Sequence, residues 1–160
     1  SGGGFMSTAA LLTYPDFYDV ACSSAGNHDN NIYNKWWSET HNGVEAVYKK
    51  KKDDDGNEVE ELTWNAKIKT NQSLANNLKG HLLLTHGNID NNVHPTNSLR
   101  LADELIKAGK RFDMMIFPGK RHGYGSFRSY YEKMMWYYFA EHLLGDYRNN
   151  VDIALPNSGK

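Results

Sequence analysis

The segment HLLLTHGNIDNNVHP, residues 81–95, indicates the fold of the chain. Its apolar run at 82–84 is too short for a helix and is typical of a buried parallel strand. A polar loop that carries Asp90 follows, and Pro95 then opens a helical pattern over residues 96–108. Functional groups in open α/β sheets lie on loops at the carboxyl ends of strands. The order strand, loop, helix therefore predicts that Asp90 occupies such a position.

The next loop along the chain carries a histidine. Residues 111–117, RFDMMIF, form a second apolar run that predicts a strand, and His122 lies in the loop after it. Ser1 precedes both residues, and the order Ser1, Asp90, His122 is the chain order of the α/β-hydrolase triad. The three residues are therefore candidates for one site at the carboxyl edge of a parallel sheet.

Each of these residue types has a definite task in triad chemistry. A serine hydroxyl is a weak nucleophile until a neighbouring imidazole takes its proton, and a carboxylate fixes the tautomer of that imidazole. The backbone N–H of Gly2 would be free to bind a developing oxyanion. Simpler explanations also exist: a cloning remnant for Ser-Gly-Gly-Gly, a turn residue for Asp90 and a surface histidine for His122.

The rest of the chain alternates between helical and strand patterns. Helices are predicted for residues 5–13, 65–78 and 126–144 and a strand for 20–24, and residues 27–40 form a polar, aromatic segment. This alternation is typical of an α/β fold with a mostly parallel sheet, right-handed crossovers and flanking helices.

Two segments are predicted to lie outside this framework. Residues 49–61, KKKKDDDGNEVEE, are the most polar part of the chain and predict an exposed turn or mobile loop. Residues 146–160 show little pattern and predict a tail that is partly disordered. The expected organisation is one domain over 1–145, followed by that tail.

Composition excludes several classes of function. With 160 residues and a formal net charge of −1, the chain offers no electrostatic argument for nucleic acid or an anionic membrane as partner. Cys22 is the single cysteine, which excludes an internal disulfide and a cysteine-based zinc site. His81, His86 and His94 match no standard metal-ligand spacing, so neither a metal nor a cofactor is expected. No apolar run is long enough to predict a membrane span.

Three segments resemble one family of peptidases. Residues 86–94, HGNIDNNVH, resemble the aspartate loop of prolyl oligopeptidase-type serine peptidases, the dipeptidyl peptidase IV branch in particular. Residues 117–123, FPGKRHG, resemble the histidine loop of that family, and residues 1–5, SGGGF, resemble the end of its nucleophile motif. The resemblance covers nearly the whole chain and implies the C-terminal half of an α/β-hydrolase fold.

The resemblance also implies roles for individual residues. Ser1 would be the nucleophile, His122 the general base and then acid, and Asp90 the residue that orients His122. Gly2 would supply one oxyanion N–H. The implied reaction is hydrolysis of peptide bonds after proline or alanine.

A substrate pocket is implied by the same resemblance. Asn92 and Val93 would lie beside the pocket for the residue before the scissile bond, and Tyr33 and Trp37 would form its aromatic wall. Tyr33 and Trp37 are four positions apart, so on a helix they share a face. Filling of the core is the alternative role for this aromatic pair.

The resemblance further implies upstream segments in a parent chain. A propeller and the first half of the hydrolase domain would supply the second oxyanion donor and the groups that hold a substrate's amino terminus. We therefore expect the 160-residue chain to have little or no peptidase activity by itself and to self-associate, for example as a homodimer. The compartment stays open, with a periplasmic or secreted location slightly favoured by the resemblance. Alternatives are a carboxylic-ester hydrolase of the same fold and a non-catalytic interaction domain.

Overall fold

The structure is a computed structural model that describes residues 1–65, 68–148 and 152–153. The chain forms two compact units, residues 1–28 with 71–160 and residues 29–70, which are described separately below. The first unit contains, in chain order, α1 (Gly2–Thr13), β1 (Val20–Ser24), a 3₁₀ helix (Gln72–Asn77), β4 (His81–Gly87), α3 (Thr96–Lys107), β5 (Asp113–Phe117), a 3₁₀ turn (Gly125–Phe127) and α4 (Arg128–Leu144). The second contains α2 (Lys35–Asn42), β2 (Glu45–Lys52) and β3 (Glu58–Asn65).

The first unit is organised on a parallel sheet with the strand order β1-β4-β5. Val20 to Ser24 pair with His81 to Thr85, and Leu83 to Gly87 pair with Asp113 to Phe117. The central strand, β4, is buried at every position after His81. Its continuous apolar run is the pattern expected of a strand covered on both faces. The predicted α/β fold with a parallel sheet and flanking helices is confirmed.

Two apolar clusters cover the sheet. Helix α3 buries Leu101, Ala102 and Leu105. It begins after Pro95 and ends before Gly109, as the sequence predicts. One cluster contains these residues together with Leu11, Leu12, Ala21, Ala75, Leu78, Leu82 and Leu84. The other consists of Phe117, Tyr124 and Tyr131, with partly buried side chains of β5 and α4 around it. These clusters fix the sheet whose carboxyl edge carries the candidate site.

The second unit corrects the prediction for residues 49–61. These residues are largely exposed, as predicted, but only 53–57 form a turn, and the residues on either side belong to the antiparallel hairpin of β2 and β3. Lysines on β2 stand opposite glutamates on β3, as in the pairs Lys49–Glu61, Lys50–Glu60 and Lys52–Glu58. Opposite charges on facing residues stabilise the pairing of two strands. The lysine run therefore belongs to one strand of a charge-matched hairpin and not to a loop.

One helix prediction was also inaccurate. The segment 65–78 does not form one helix, because β3 extends to Asn65 and helical structure is limited to the 3₁₀ helix at Gln72–Asn77. Residues 66–67 lie outside the described residues. In the polar, aromatic segment 27–40, for which no element was predicted, helix α2 begins after Asn34, whose side chain accepts the Trp37 N–H.

Of the predicted tail 146–160, the structure describes residues 146–148 and 152–153, and the remainder lies outside the described residues. Within the described part of the chain, no helix combines the length and apolar character needed to cross a membrane.

Candidate active site

The aspartate loop after β4 holds a buried carboxylate between two sets of donors. The side chain of Asp90 is fully buried. Its Oδ1 accepts the backbone N–H groups of Asn92 at 2.9 Å and Val93 at 3.1 Å. Its Oδ2 lies 2.7 Å from Nδ1 of His122. The turn role and the triad role of Asp90 are therefore compatible, because each uses a different oxygen of the same carboxylate.

The electrostatics keep Asp90 ionised. Burial favours the neutral carboxyl, but the hydrogen bonds from His122, Asn92 and Val93 outweigh it and hold the pKa of Asp90 below its ordinary value. An ionised carboxylate only accepts, so Nδ1 of His122 carries the shared proton. In the neutral imidazole this leaves Nε2 as an acceptor.

His122 is held on one side and open on the other. Its loop lies between β5 and α4, and its side chain is 30% exposed, whereas the Asp90 side chain is fully covered. Among the described residues, no hydrogen bond to Nε2 of His122 is present within 3.5 Å. A histidine whose Nδ1–H is held by a carboxylate presents Nε2 as an acceptor when the ring is neutral, which is the arrangement required of a general base.

A second histidine stabilises the same loop from beneath. His86 is fully buried, with Nε2 2.8 Å from the Val93 carbonyl oxygen and Nδ1 2.7 Å from the Ser98 hydroxyl. Because a carbonyl only accepts, Nε2 carries the proton, and it also faces Asp90 Oδ2 at 3.3 Å. Burial lowers the pKa of His86, which keeps the ring neutral.

Within the described residues, no group of three or more His, Cys, Asp or Glu side chains is arranged to hold a metal ion.

The first residues of the chain form a tight junction with the end of β1. Ser1 precedes α1, and its backbone nitrogen donates to the Ser24 carbonyl oxygen at 3.2 Å. A Cβ on Gly4 would lie 2.6 Å from that same oxygen, so only glycine fits there. The backbone nitrogen of Ser1 also lies within electrostatic range of the Asp90 carboxylate. Ser1 therefore lies at the carboxyl edge of the sheet, within electrostatic range of the aspartate loop.

The three predicted triad residues are connected to different degrees. Asp90 and His122 are joined by a short hydrogen bond, whereas the described residues show none between the Ser1 hydroxyl and His122. Gly2 begins α1, where backbone N–H groups have no partner within the helix. Such a group can donate to an oxyanion, as the sequence predicts for Gly2.

A buried histidine network beneath this junction was not predicted. His28 is fully buried; Nδ1 lies 3.0 Å from Asn71 Nδ2, and Nε2 lies 3.4 Å from the Ser23 hydroxyl. Asn71 also donates to the Phe5 carbonyl at 3.0 Å, and Ser23 donates to the Gly4 carbonyl at 2.9 Å. Burial lowers the pKa of His28 to about 3, so the ring is neutral. The network ties the first turn of α1 to β1 and to the segment before the 3₁₀ helix.

The predicted pocket residues are divided between the two units. Asn92 and Val93 belong to the aspartate loop in the first unit, where Val93 is fully buried. Tyr33 and Trp37 belong to the second unit and contact each other edge to face, with ring centroids 6.3 Å apart. Their contribution to one substrate pocket stays a prediction.

The parallel sheet, with an Asp–His pair on successive loops at its carboxyl edge, defines an α/β-hydrolase-type site. The model of the prolyl oligopeptidase family matches residues 1–146, and the chain belongs to that family, whose members are peptidases. It is 29% identical over 142 residues to the dipeptidyl peptidase family member 1 of Caenorhabditis elegans, covering 88% of this chain and 16% of that protein. It is 28% identical over 145 residues to human dipeptidyl peptidase 8, covering 89% of this chain and 15% of that protein.

Solved structures agree on the fold. A Bacteroides ovatus protein assigned as a dipeptidyl aminopeptidase IV matches with a TM-score of 0.66 and 22% identity over 87% of this chain and 18% of that one. Dipeptidyl peptidase 4 of Porphyromonas gingivalis matches with a TM-score of 0.62 and 22% identity over 85% of this chain and 18% of that one. The chain thus spans less than a fifth of the length of each of these proteins.

Proposed function

We propose that this chain carries the Ser-Asp-His triad of a serine peptidase of the dipeptidyl peptidase type. Ser1 is the nucleophile, His122 the general base and then acid, and Asp90 the residue that orients His122. The observation that carries the proposal is the 2.7 Å hydrogen bond from His122 Nδ1 to the buried Asp90 carboxylate, on the loops that follow β5 and β4.

The chemistry runs through acylation and deacylation. Nε2 of His122 takes the Ser1 hydroxyl proton as the oxygen attacks the scissile carbonyl carbon. The N–H of Gly2 donates to the oxyanion of the tetrahedral intermediate. His122 then gives the proton to the leaving amine, so the peptide C–N bond breaks and an acyl ester on Ser1 remains. Water, deprotonated by His122, attacks the ester and releases the acid product with the free hydroxyl.

The proposed substrates are peptides cleaved after proline or alanine. The description of the family as prolyl oligopeptidases supports cleavage after proline, and the names of the relatives, which are dipeptidyl peptidases, support a peptide substrate. Asn92 and Val93 are offered as one side of the pocket for the residue before the scissile bond. Tyr33 and Trp37, in the second unit, are offered as an aromatic wall for substrate. An aromatic wall favours the flat, rigid ring of proline through apolar contact.

The proposal extends to the organisation of a longer protein, here termed the parent chain. Residues 1–145 form the C-terminal portion of its hydrolase domain and 146–160 a tail, while a propeller and the first half of the hydrolase domain lie upstream. The lengths of the relatives, of which this chain covers 15–16%, support this arrangement. By itself the 160-residue chain has little peptidase activity and self-associates, for example as a homodimer.

The test compares amide hydrolysis by the parent chain and by the 160-residue chain. A glycyl-prolyl p-nitroanilide and an ester with the same acyl group are the two substrates. We expect cleavage of the anilide by the parent chain, its loss in Ser1→Ala and His122→Gln, and an unchanged rate in Ser126→Ala, which alters an exposed serine. If the parent chain cleaved the ester and not the anilide, the peptidase proposal would be wrong and the protein would be an esterase. Full activity of Ser1→Ala would refute the assignment of the nucleophile.

A further inference from the structure

We propose that Tyr124 is a positioning residue for His122, acting through a buried hydroxyl that ties the histidine loop to the carboxyl ends of β1 and β4. The inference rests on the proposed role of His122, two residues earlier in the same loop. Neither the composition of the loop nor its resemblance to the family's histidine loop assigns a role to this tyrosine.

The hydroxyl of Tyr124 lies between two strands. Its side chain is fully buried, and Oη lies 2.7 Å from the Ser24 hydroxyl on β1 and 2.8 Å from the Thr85 hydroxyl on β4. Thr85 itself donates to the Ser23 carbonyl at 3.3 Å, so its oxygen accepts from Tyr124. Ser24 must then donate to Tyr124. The hydrogen bonds of these hydroxyl groups therefore run in one direction, from Ser24 through Tyr124 and Thr85 to a backbone carbonyl of β1.

The backbone at Tyr124 adopts a conformation that a tyrosine rarely occupies. The φ angle is +67° at Tyr124, with +81° at Gly123 and +50° at Gly125. A left-handed conformation is unfavourable for a residue that bears a side chain, and such residues cluster at functional sites. The two hydroxyl contacts and the buried ring offset this cost. Removal of the hydroxyl therefore weakens the interactions that hold the loop in this conformation.

The ring of Tyr124 adds contacts to two further elements. Its centroid lies 4.4 Å from that of Phe117 on β5 and 5.1 Å from that of Tyr131 on α4. Phenylalanine in place of Tyr124 would keep these ring contacts and would lose only the hydroxyl. The substitution therefore separates positioning through the hydroxyl from packing of the ring.

The strands that Tyr124 joins carry the other members of the site. The Ser24 carbonyl accepts a hydrogen bond from the backbone nitrogen of Ser1, and β4 leads into the aspartate loop. A link between the histidine loop and both strand ends thus sets the position of His122 relative to Ser1 and Asp90. A displacement of about 1 Å in a catalytic group can lower the rate about a hundredfold.

The first test measures the proton shared by His122 and Asp90 in the 160-residue chain, by NMR of chain labelled with ¹⁵N-histidine. We expect Tyr124→Phe to speed the exchange of this Nδ1 proton with water by about tenfold, which corresponds to about 1.4 kcal/mol of opening free energy. Tyr130→Phe is the matched control, because Tyr130 packs on the same Phe117 ring with centroids 6.3 Å apart. Equal exchange rates in Tyr124→Phe and the native chain would overturn the proposal.

Thr85→Val tests the same link from the strand side and keeps a β-branched residue of similar volume in β4. We expect the same acceleration as in Tyr124→Phe, and no further acceleration in the double variant, because both changes break one link. If the His122 Nδ1 proton of Thr85→Val exchanged at the native rate, the proposal would be overturned even if Tyr124→Phe failed to fold.

Kinetics of the parent chain separate positioning from general stability. We expect Tyr124→Phe to lower kcat about tenfold or more with KM within about twofold, while Tyr130→Phe leaves both unchanged. A native kcat in a folded Tyr124→Phe variant would overturn the proposal. If the native parent chain cleaved no peptide, the proposed function would fail, and the NMR result would still decide whether Tyr124 positions His122.

Discussion

Replacement of Asp90 by asparagine changes few atoms and removes the charge at the buried centre of the site. Oδ1 of Asp90 accepts two backbone N–H groups, and an amide oxygen in its place can still accept both. The amide nitrogen then takes the place of Oδ2, 2.7 Å from His122 Nδ1 and 3.3 Å from His86 Nε2. Both ring nitrogens carry protons in the native protein, so Asp90→Asn directs three donors at one another.

His122 can relieve this conflict by moving its proton from Nδ1 to Nε2. That tautomer lacks the acceptor that a serine hydroxyl needs, and in a serine protease triad it lowers kcat about 10⁴-fold, equivalent to about 5.5 kcal/mol. The lost charge-assisted hydrogen bond also lowers the free energy of unfolding by about 1–3 kcal/mol. We therefore expect a folded but slow enzyme.

Two measurements check this prediction. Steady-state kinetics of the parent chain give kcat, and ¹⁵N NMR of the 160-residue chain shows which nitrogen of His122 is protonated. Asp103→Asn is the control, because Asp103 is an exposed carboxylate paired with Lys107 on α3. If Asp90→Asn kept kcat within about tenfold and His122 kept its Nδ1 proton, Asp90 would not be the orienting residue.

Three further predictions concern stability and are checked by denaturant unfolding. Gly4→Ala should lower the free energy of unfolding by about 1–3 kcal/mol, because its Cβ would overlap the backbone of Ser24 and Gly26, whereas Gly3→Ala meets no atom within 4 Å and should raise it by up to about 1 kcal/mol. Leu105→Ala should cost about 2–5 kcal/mol because Leu105 is fully buried, whereas Ile106→Ala should change little because Ile106 is 66% exposed. The pKa of Asp90 is lower in the folded chain than its ordinary value of 3.8, so its ionised carboxylate stabilises the fold above pH 3.8. This stabilisation is lost as the pH falls through the folded pKa. The native chain should therefore lose more stability in acid than Asp90→Asn. Equal costs within either pair of variants, or parallel pH curves, would contradict these predictions.

The sheet and the Asp–His pair could be predicted because their signals are local. A short apolar run and a polar loop identify β4, and the boundaries at Pro95 and Gly109 identify α3. Asp90 and His122 are 32 residues apart, but the rule that functional loops follow parallel strands brings them together without a structure.

The hairpin was missed because its charge run was considered without the facing strand, and the two buried polar networks could not be predicted because their partners are remote in sequence. The hairpin depends on lysines of β2 meeting glutamates of β3, and a charge run considered alone indicates a solvated loop. Tyr124 bonds to a hydroxyl 100 residues away, and His28 to an amide 43 residues away. A single sequence carries no periodic pattern for such contacts.

The measurement that tests the central claim most directly is the covalent labelling of the parent chain by a fluorophosphonate, with the modified residue identified by mass spectrometry. The reagent reacts with a serine that a neighbouring imidazole activates. We predict one adduct, on Ser1, which is lost in His122→Gln and greatly reduced in Asp90→Asn. An adduct on another serine, or equal labelling of Ser1 in His122→Gln, would contradict the assignment of Ser1, Asp90 and His122 as one catalytic triad.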